Sequence, residues 1–213
     1  LKRATFIIVI LLAMAGGCTT TLPNAIDVNF AADEPGLPPV NFTPALTGGG
    51  GPGHWIVRVL PDGTHVLVQE SSDDTSYRFP MEIYDNAVAR DIAVEVKFKA
   101  IAGKTDQAGG IVLRYTPENY YIARANALED NVNLFKTVEG KRSKIQEVDA
   151  RVAPGQWHTL RFEAKGPHLK VIFDGKVAIE ADDTTFTGPG QVGLWTKADS
   201  VSAFKDLKIE PVR

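Results

Sequence analysis

An all-β fold of two packed antiparallel sheets is what this sequence predicts, on three observations. Beyond residue 18 no stretch shows the apolar spacing of an amphipathic helix, whereas apolar and polar residues alternate at period two almost throughout. Turn signals such as Asp174-Gly175 separate the alternating runs. Between Ile26 and Pro211 the runs make roughly a dozen or more short strands, too many for one flat sheet and suited to a sandwich.

The composition agrees with this reading and closes off others. With 44% hydrophobic and 23% charged residues in 213, the chain has ample material for a core and is neither disordered nor a polytopic helical membrane protein. One cysteine excludes an internal disulfide framework and a thiolate-clustered zinc site. A net charge of −3 argues against a nucleic-acid partner, which a basic face would announce.

Residues 1–17 come first and differ from the rest. Lys2 and Arg3 precede an apolar run through Ala15, then Gly16, Gly17 and Cys18. A basic start, a short apolar stretch and small residues before a cut are the parts of a secretory signal, and the run is too short for the usual spanning helix. The tail Ala15-Gly16-Gly17-Cys18 resembles the lipobox of bacterial lipoproteins, with Ala15 standing where Leu is usual. The resemblance implies cleavage before Cys18 and acylation of its sulfur, so residues 18–25 read as a lipidated tether and 26–213 as the folded domain. A membrane partner through that anchor follows, with a place in the cell envelope. In a Gram-negative cell this is the outer membrane facing the periplasm, since no Asp follows at position 19.

The strands then follow one another. Ile92, Val94, Val96 and Phe98 face one way, and Leu160 with Phe162 does the same in the run His158–Lys165. Leu169, Val171 and Phe173 lead into Asp174-Gly175, the strongest two-residue hairpin signal, and Val177 with Ile179 lead out. Asp62-Gly63, Glu139-Gly140 and Pro117-Glu118-Asn119 read as further turns. The glycine run at 47–53 reads as a connector, because no Lys-Ser/Thr ending or helix follows to make a phosphate loop. His158 and His168 fall on strands and read as surface residues.

The stretches 109–136 (GGIVLRYTPENYYIARANALEDNVNLFK) and 190–207 (GQVGLWTKADSVSAFKDL) are distinctive, with SYRFPMEIYDN at 76–86 and WHTLRFEAKG at 157–166. They resemble a bacterial family of jelly-roll domains in the concanavalin A-like lectin/glucanase superfamily, labelled laminin-G-like or 3-keto-disaccharide hydrolase-like. The resemblance covers roughly residues 28–211 and implies a two-sheet jelly roll with a concave face where carbohydrate sits. The two-carboxylate strand motif of the superfamily's glucanases is absent: Glu147-Val148-Asp149 begins it, but Ala150, Arg151 and Val152 follow.

Strand parity supplies candidate site residues. Ile111, Leu113 and Tyr115 take the inner face of one strand and send Arg114 outward; Val132 and Leu134 send out Asn133 and Phe135; Val192 and Leu194 send out Trp195 and Lys197. In 119–127 the alanines are placed inward, which turns Tyr120, Arg124 and Asn126 outward and leaves Ile122 exposed with them. The resulting face, Arg114, Tyr120, Arg124, Asn126, Asn133, Trp195 and Lys197, would stack a sugar on rings and bind its hydroxyls or an acidic group. Arg114 and Arg124 could instead pair with Glu129 or Asp130, and Trp195 could instead be a core aromatic. Glu129 and Asp130 are the tentative catalytic carboxylates. No cofactor is expected; Glu129-Asp130-Asn131, Asp182-Asp183 and Asp199-Ser200 are where calcium would find oxygen, without the spacing of a known loop. Three functions remain open: an envelope-anchored carbohydrate-binding lipoprotein, a glycoside-acting hydrolase, and a structural or protein-docking lipoprotein.

Overall fold

The computed structural model describes Leu22 and residues 24–212; the signal segment and Cys18 lie outside the described residues. Fifteen strands and no helix occur among the described residues. In chain order they are β1 Ile26–Val28, β2 Phe42–Gly48, β3 Trp55–Val59, β4 His65–Gln69 and β5 Arg78–Ala89. Then come β6 Ile92–Ala102, β7 Ala108–Thr116, β8 Asn119–Asn126, β9 Asn131–Val138 and β10 Lys141–Asp149. The last five are β11 His158–Lys165, β12 His168–Phe173, β13 Lys176–Asp182, β14 Gly190–Trp195 and β15 Val201–Pro211.

They form two antiparallel sheets. One runs β13-β12-β11-β6-β15-β4-β3, with β1 pairing β15; the other runs β10-β9-β8-β7-β14-β5-β2. The alternating residues meet where expected. Val94, Val96, Phe98, Leu160, Phe162 and Phe204 of the first sheet close on Ile111, Leu113, Ala123, Ala125, Leu134 and Leu194 of the second. At Asp174-Gly175 both φ values are positive (46° and 76°), as a tight hairpin between right-twisted strands requires, and Glu139-Gly140 makes a turn with the same signature.

Four expectations drawn from parity fail, in direction or in exposure. A bulge between Leu113 and Thr116, with Arg114 at φ 52°, turns Tyr115 to the outer face and Arg114 to the end of the sandwich. A register shift at Val171/Ile172 leaves Val177 exposed. His158 is buried between Phe98 and Phe173 and its Nδ1 lies 2.7 Å from Asp174. Ile122 does face outward, yet it is fully buried, because the second sheet encloses a core of its own.

That second core lies on the concave side. Phe79, Met81, Ile83, Val112, Tyr120, Ile122, Phe135 and Trp195 pack there, with Phe79 stacked on Trp195 at 5.5 Å. The sheet curls far enough for its two edges to meet: the Tyr77 hydroxyl donates to Gly140 O and accepts from Arg142 N–H at the far hairpin. One loop knot holds the same end. Arg78, with no exposed surface, donates to the carbonyls of Gly51, Pro52 and Ala198 and to Ser71 Oγ, which pins the glycine connector.

Candidate functional site

The concave face changes character along its strands, and the register explains how. One cross-strand row reads Glu147, Asn133, Arg124, Gly110, Trp195, Met81. Toward one side the rows are apolar; toward the other stand Asn126 and Asn131, with Asp106 and Lys197 just beyond the strand ends. Gly110 lets its neighbours close up in the row, since a Cβ there would lie 2.9 Å from Ala123 O, 3.2 Å from the Trp195 ring and 3.3 Å from Arg124 Cβ.

At this polar end charges gather in pairs. Lys197 Nζ lies 2.5 Å from Asp106 Oδ2, and Asn126 Nδ2 donates to Asp106 Oδ1. Arg124 Nη2 donates to Glu129 Oε2 at 2.6 Å, which also accepts from Asn131 Nδ2. Burial pushes the Asp106 carboxyl above its ordinary range, outweighing Lys197 and Arg124. Glu129 is less deeply placed, and there burial, though the largest single influence, is outweighed by the hydrogen bond and charge of Arg124 together with Asn131 and Lys197, so its carboxyl is held low. Glu147, bonded to Lys144, is also held low.

The pairs leave capacity unused. Arg124 Nε and Nη1, both polar atoms of Asn133, Asn131 Oδ1, Thr196 Oγ1 and Trp195 Nε1 are buried and have no hydrogen-bond partner in the protein. Buried polar atoms are nearly always satisfied in native structures, so donors and acceptors left open together mark a place built for something that brings its own. The surroundings are accessible enough for that: the Glu129 side chain is 41% and the Lys197 side chain 16% exposed.

The loop that carries Asp106 is fixed by Asp199. Its carboxylate accepts the backbone N–H groups of Lys104, Thr105 and Asp106 at 2.6–3.1 Å, while Ser200 Oγ accepts that of Ala108. Burial opposes the Asp199 charge, but these N–H groups outweigh it and hold its carboxyl low. The acidic turn singled out for calcium thus has backbone donors as partners. Among the described residues no three His, Cys, Asp or Glu side chains gather in a metal-like group.

The sequence-derived candidates divide accordingly. Arg124, Asn126, Asn133, Lys197 and Glu129 come together at the polar end. Arg114 does not: it donates to the carbonyls of Arg90, Phe186 and Gly166, tying three loops at another place. Tyr120 and Trp195 are on the concave side but fully buried in the second core, so neither ring offers a face for stacking. Asp130, at φ 48°, accepts the Val152 N–H and serves the turn. The paired-arginine alternative holds for Arg124 with Glu129. Asp106, Glu147 and Arg142 were missed. Asp106 sits in a loop where parity says nothing, Glu147 was weighed only as a glucanase motif, and Arg142 becomes visible only once β10 is paired to β9.

Residues 46–210 match the family described as the 3-keto-alpha-glucoside-1,2-lyase-like domain, which is most of the chain. This chain belongs to that family. The chain is 29% identical over 146 residues to levanase of Bacillus subtilis, which takes in 67% of this chain and 20% of levanase. The chain thus spans about a fifth of that relative. Among solved structures it is similar to the carbohydrate binding module CBM66 from Bacillus subtilis, with a TM-score of 0.65 and 24% identity over 80% of this chain and 95% of that one. The β-glucanase of Bacillus licheniformis gives 0.58 with 14% identity, over 89% and 99%. At these identities the two structures speak for the fold, and the domain is the concanavalin A-like jelly roll that the sequence resemblance implied.

Proposed function

We propose that this domain binds carbohydrate, holding one sugar unit at the polar end of its concave sheet, and that an acylated Cys18 keeps it on the cell envelope. The observation that carries the reading is the row Glu147, Asn133, Arg124 with Asp106, Glu129 and Lys197 around it, where buried donors and acceptors stand open together. A sugar hydroxyl both donates and accepts, so it needs a mixed set of this kind. Arg124 and Lys197 would donate to ring hydroxyls; Asp106, Glu129 and Asn133 would accept from them. Kinship with levanase and likeness to a named carbohydrate binding module support this reading over a protein-docking role.

A second reading is favoured by the family description and by Asp106, whose carboxyl is pushed above its ordinary range by burial, with Glu129 adding to the push. It makes the same pocket a lyase or hydrolase site, with Glu129 and Asp106 exchanging protons with the sugar.

One experiment separates them. The protein is passed over immobilised oligo- and polysaccharides while parallel samples are followed by mass spectrometry. Retention without new products, lost in Arg124→Ala and in Lys197→Met, is expected. Time-dependent products that vanish in Glu129→Gln would replace binding by catalysis. A folded sample that is neither retained nor active would move the reading to a docking lipoprotein.

A further inference from the structure

Arg142 differs from every other cation around this pocket. It leaves β10 opposite Thr137 and lays its guanidinium over the second core, 4.3 Å from the Phe135 ring, 4.4 Å from Phe79 and 5.8 Å from Trp195. Arg124 stands over the same Phe135 ring at 5.6 Å. Lys197 has Asp106, Arg124 has Glu129, and Lys144 has Glu147. Among the described residues no carboxylate lies within ion-pair distance of Arg142. Its Nη1, like Nε and Nη1 of Arg124, is buried without a hydrogen-bond partner.

With Lys144 and Glu147 neutralising each other, Arg124, Arg142 and Lys197 outnumber Asp106 and Glu129 by one charge. Burial, foremost, and the charge of Arg124 work against the Arg142 cation, and the attraction of Asp106 with Tyr77 and Tyr120 does not outweigh them. A neutral sugar would leave that opposition in place, whereas an anion would relieve it. Planar guanidinium forks suit an oxyanion with two or three acceptor oxygens and give charge-assisted bonds of about twice ordinary strength.

We propose that the sugar held here is acidic, with its oxyanion seated between Arg124 and Arg142. This rests on the carbohydrate reading above and sharpens it: the ligand is a uronate-bearing or sulfated sugar, and Arg142 determines the choice.

Calorimetric titration tests it with glucuronate and galacturonate glycosides, the matching neutral glucosides and galactosides, and their 6-sulfates. The acidic sugars should bind at least about tenfold tighter than their neutral counterparts, the worth of one charge-assisted contact. Whichever of carboxylate and sulfate binds tighter identifies the oxyanion. Arg142→Gln should abolish the preference, lowering acidic-sugar affinity at least about tenfold more than neutral-sugar affinity; Arg142→Lys, which keeps the charge and loses the fork, should retain part of it and serves if the first variant does not fold. Equal or tighter binding of neutral sugars, or a preference that survives in Arg142→Gln, overturns the proposal and leaves the carbohydrate reading standing. Absence of binding to every sugar overturns both.

Discussion

Glu82 sits on the core side of β5, between Leu194 and Pro44 in the register, with one carboxylate oxygen unpartnered. Burial, with Asp85 adding to it, pushes its pKa up to about 8. Between the ordinary value of 4.5 and about 8 the folded protein therefore holds a proton that the unfolded chain has released. Its contribution is fully present below that window, falls as pH rises through it, and levels off above, for a loss on the order of a few kcal/mol. Glu82→Gln is expected to flatten this slope, so that thermal melts of variant and wild type diverge from pH 5 toward pH 8; parallel melting curves would contradict it. Trp195 is argued from the same kind of placement. Its ring is wholly enclosed and stacked on Phe79, so Trp195→Ala should cost about 3–5 kcal/mol in denaturant titrations, as large core truncations do. A variant of unchanged stability would return the ring to the surface. Its outward direction was legible from Val192 and Leu194; its burial was not, because one strand's parity cannot say what a curled sheet folds over.

Elements show the same division. The tight turn at Asp174-Gly175 was legible because only a few residue types tolerate positive φ there. The bulge at Arg114 was not: an arginine at φ 52° carries no local signal, and its partners are carbonyls 24, 52 and 72 residues away. The segment between β6 and β7 makes the point for the pocket. It contributes Asp106, and what shapes it is a carboxylate more than ninety residues later in the chain, just before β15. Asp199→Asn removes charge from three N–H bonds and substitutes a donor for one acceptor. The loop should loosen, and affinity for a sugar that uses Asp106 should fall by about tenfold or more with far-ultraviolet circular dichroism unchanged. Unaltered affinity would show that Asp106 holds its place without this clamp.

At the scale of the molecule, the two-sheet sandwich was legible from periodicity and strand count, since those are properties of the chain as a whole. The second core was not. It exists because the edges of one sheet meet through Tyr77 and the Glu139-Gly140 turn, and such a meeting depends on curvature that no local pattern encodes. The envelope reading also belongs to this scale. Replacing Cys18 by Ala should move the protein from the membrane to the soluble fraction on fractionation, while a variant that stays with the membrane would remove the anchor from the reading.

Arg78 gathers its carbonyl and hydroxyl oxygens, with Asp73 at 3.7 Å, into the sort of oxygen-lined cage that a hard cation occupies elsewhere in protein chemistry. Here the positive charge is tethered to the backbone by its own side chain. A diffusible ion can be lost to dilution or sequestered by a chelator; a covalently attached one cannot. The knot that sets the glycine connector beside the Lys197 turn therefore keeps its shape however scarce calcium becomes.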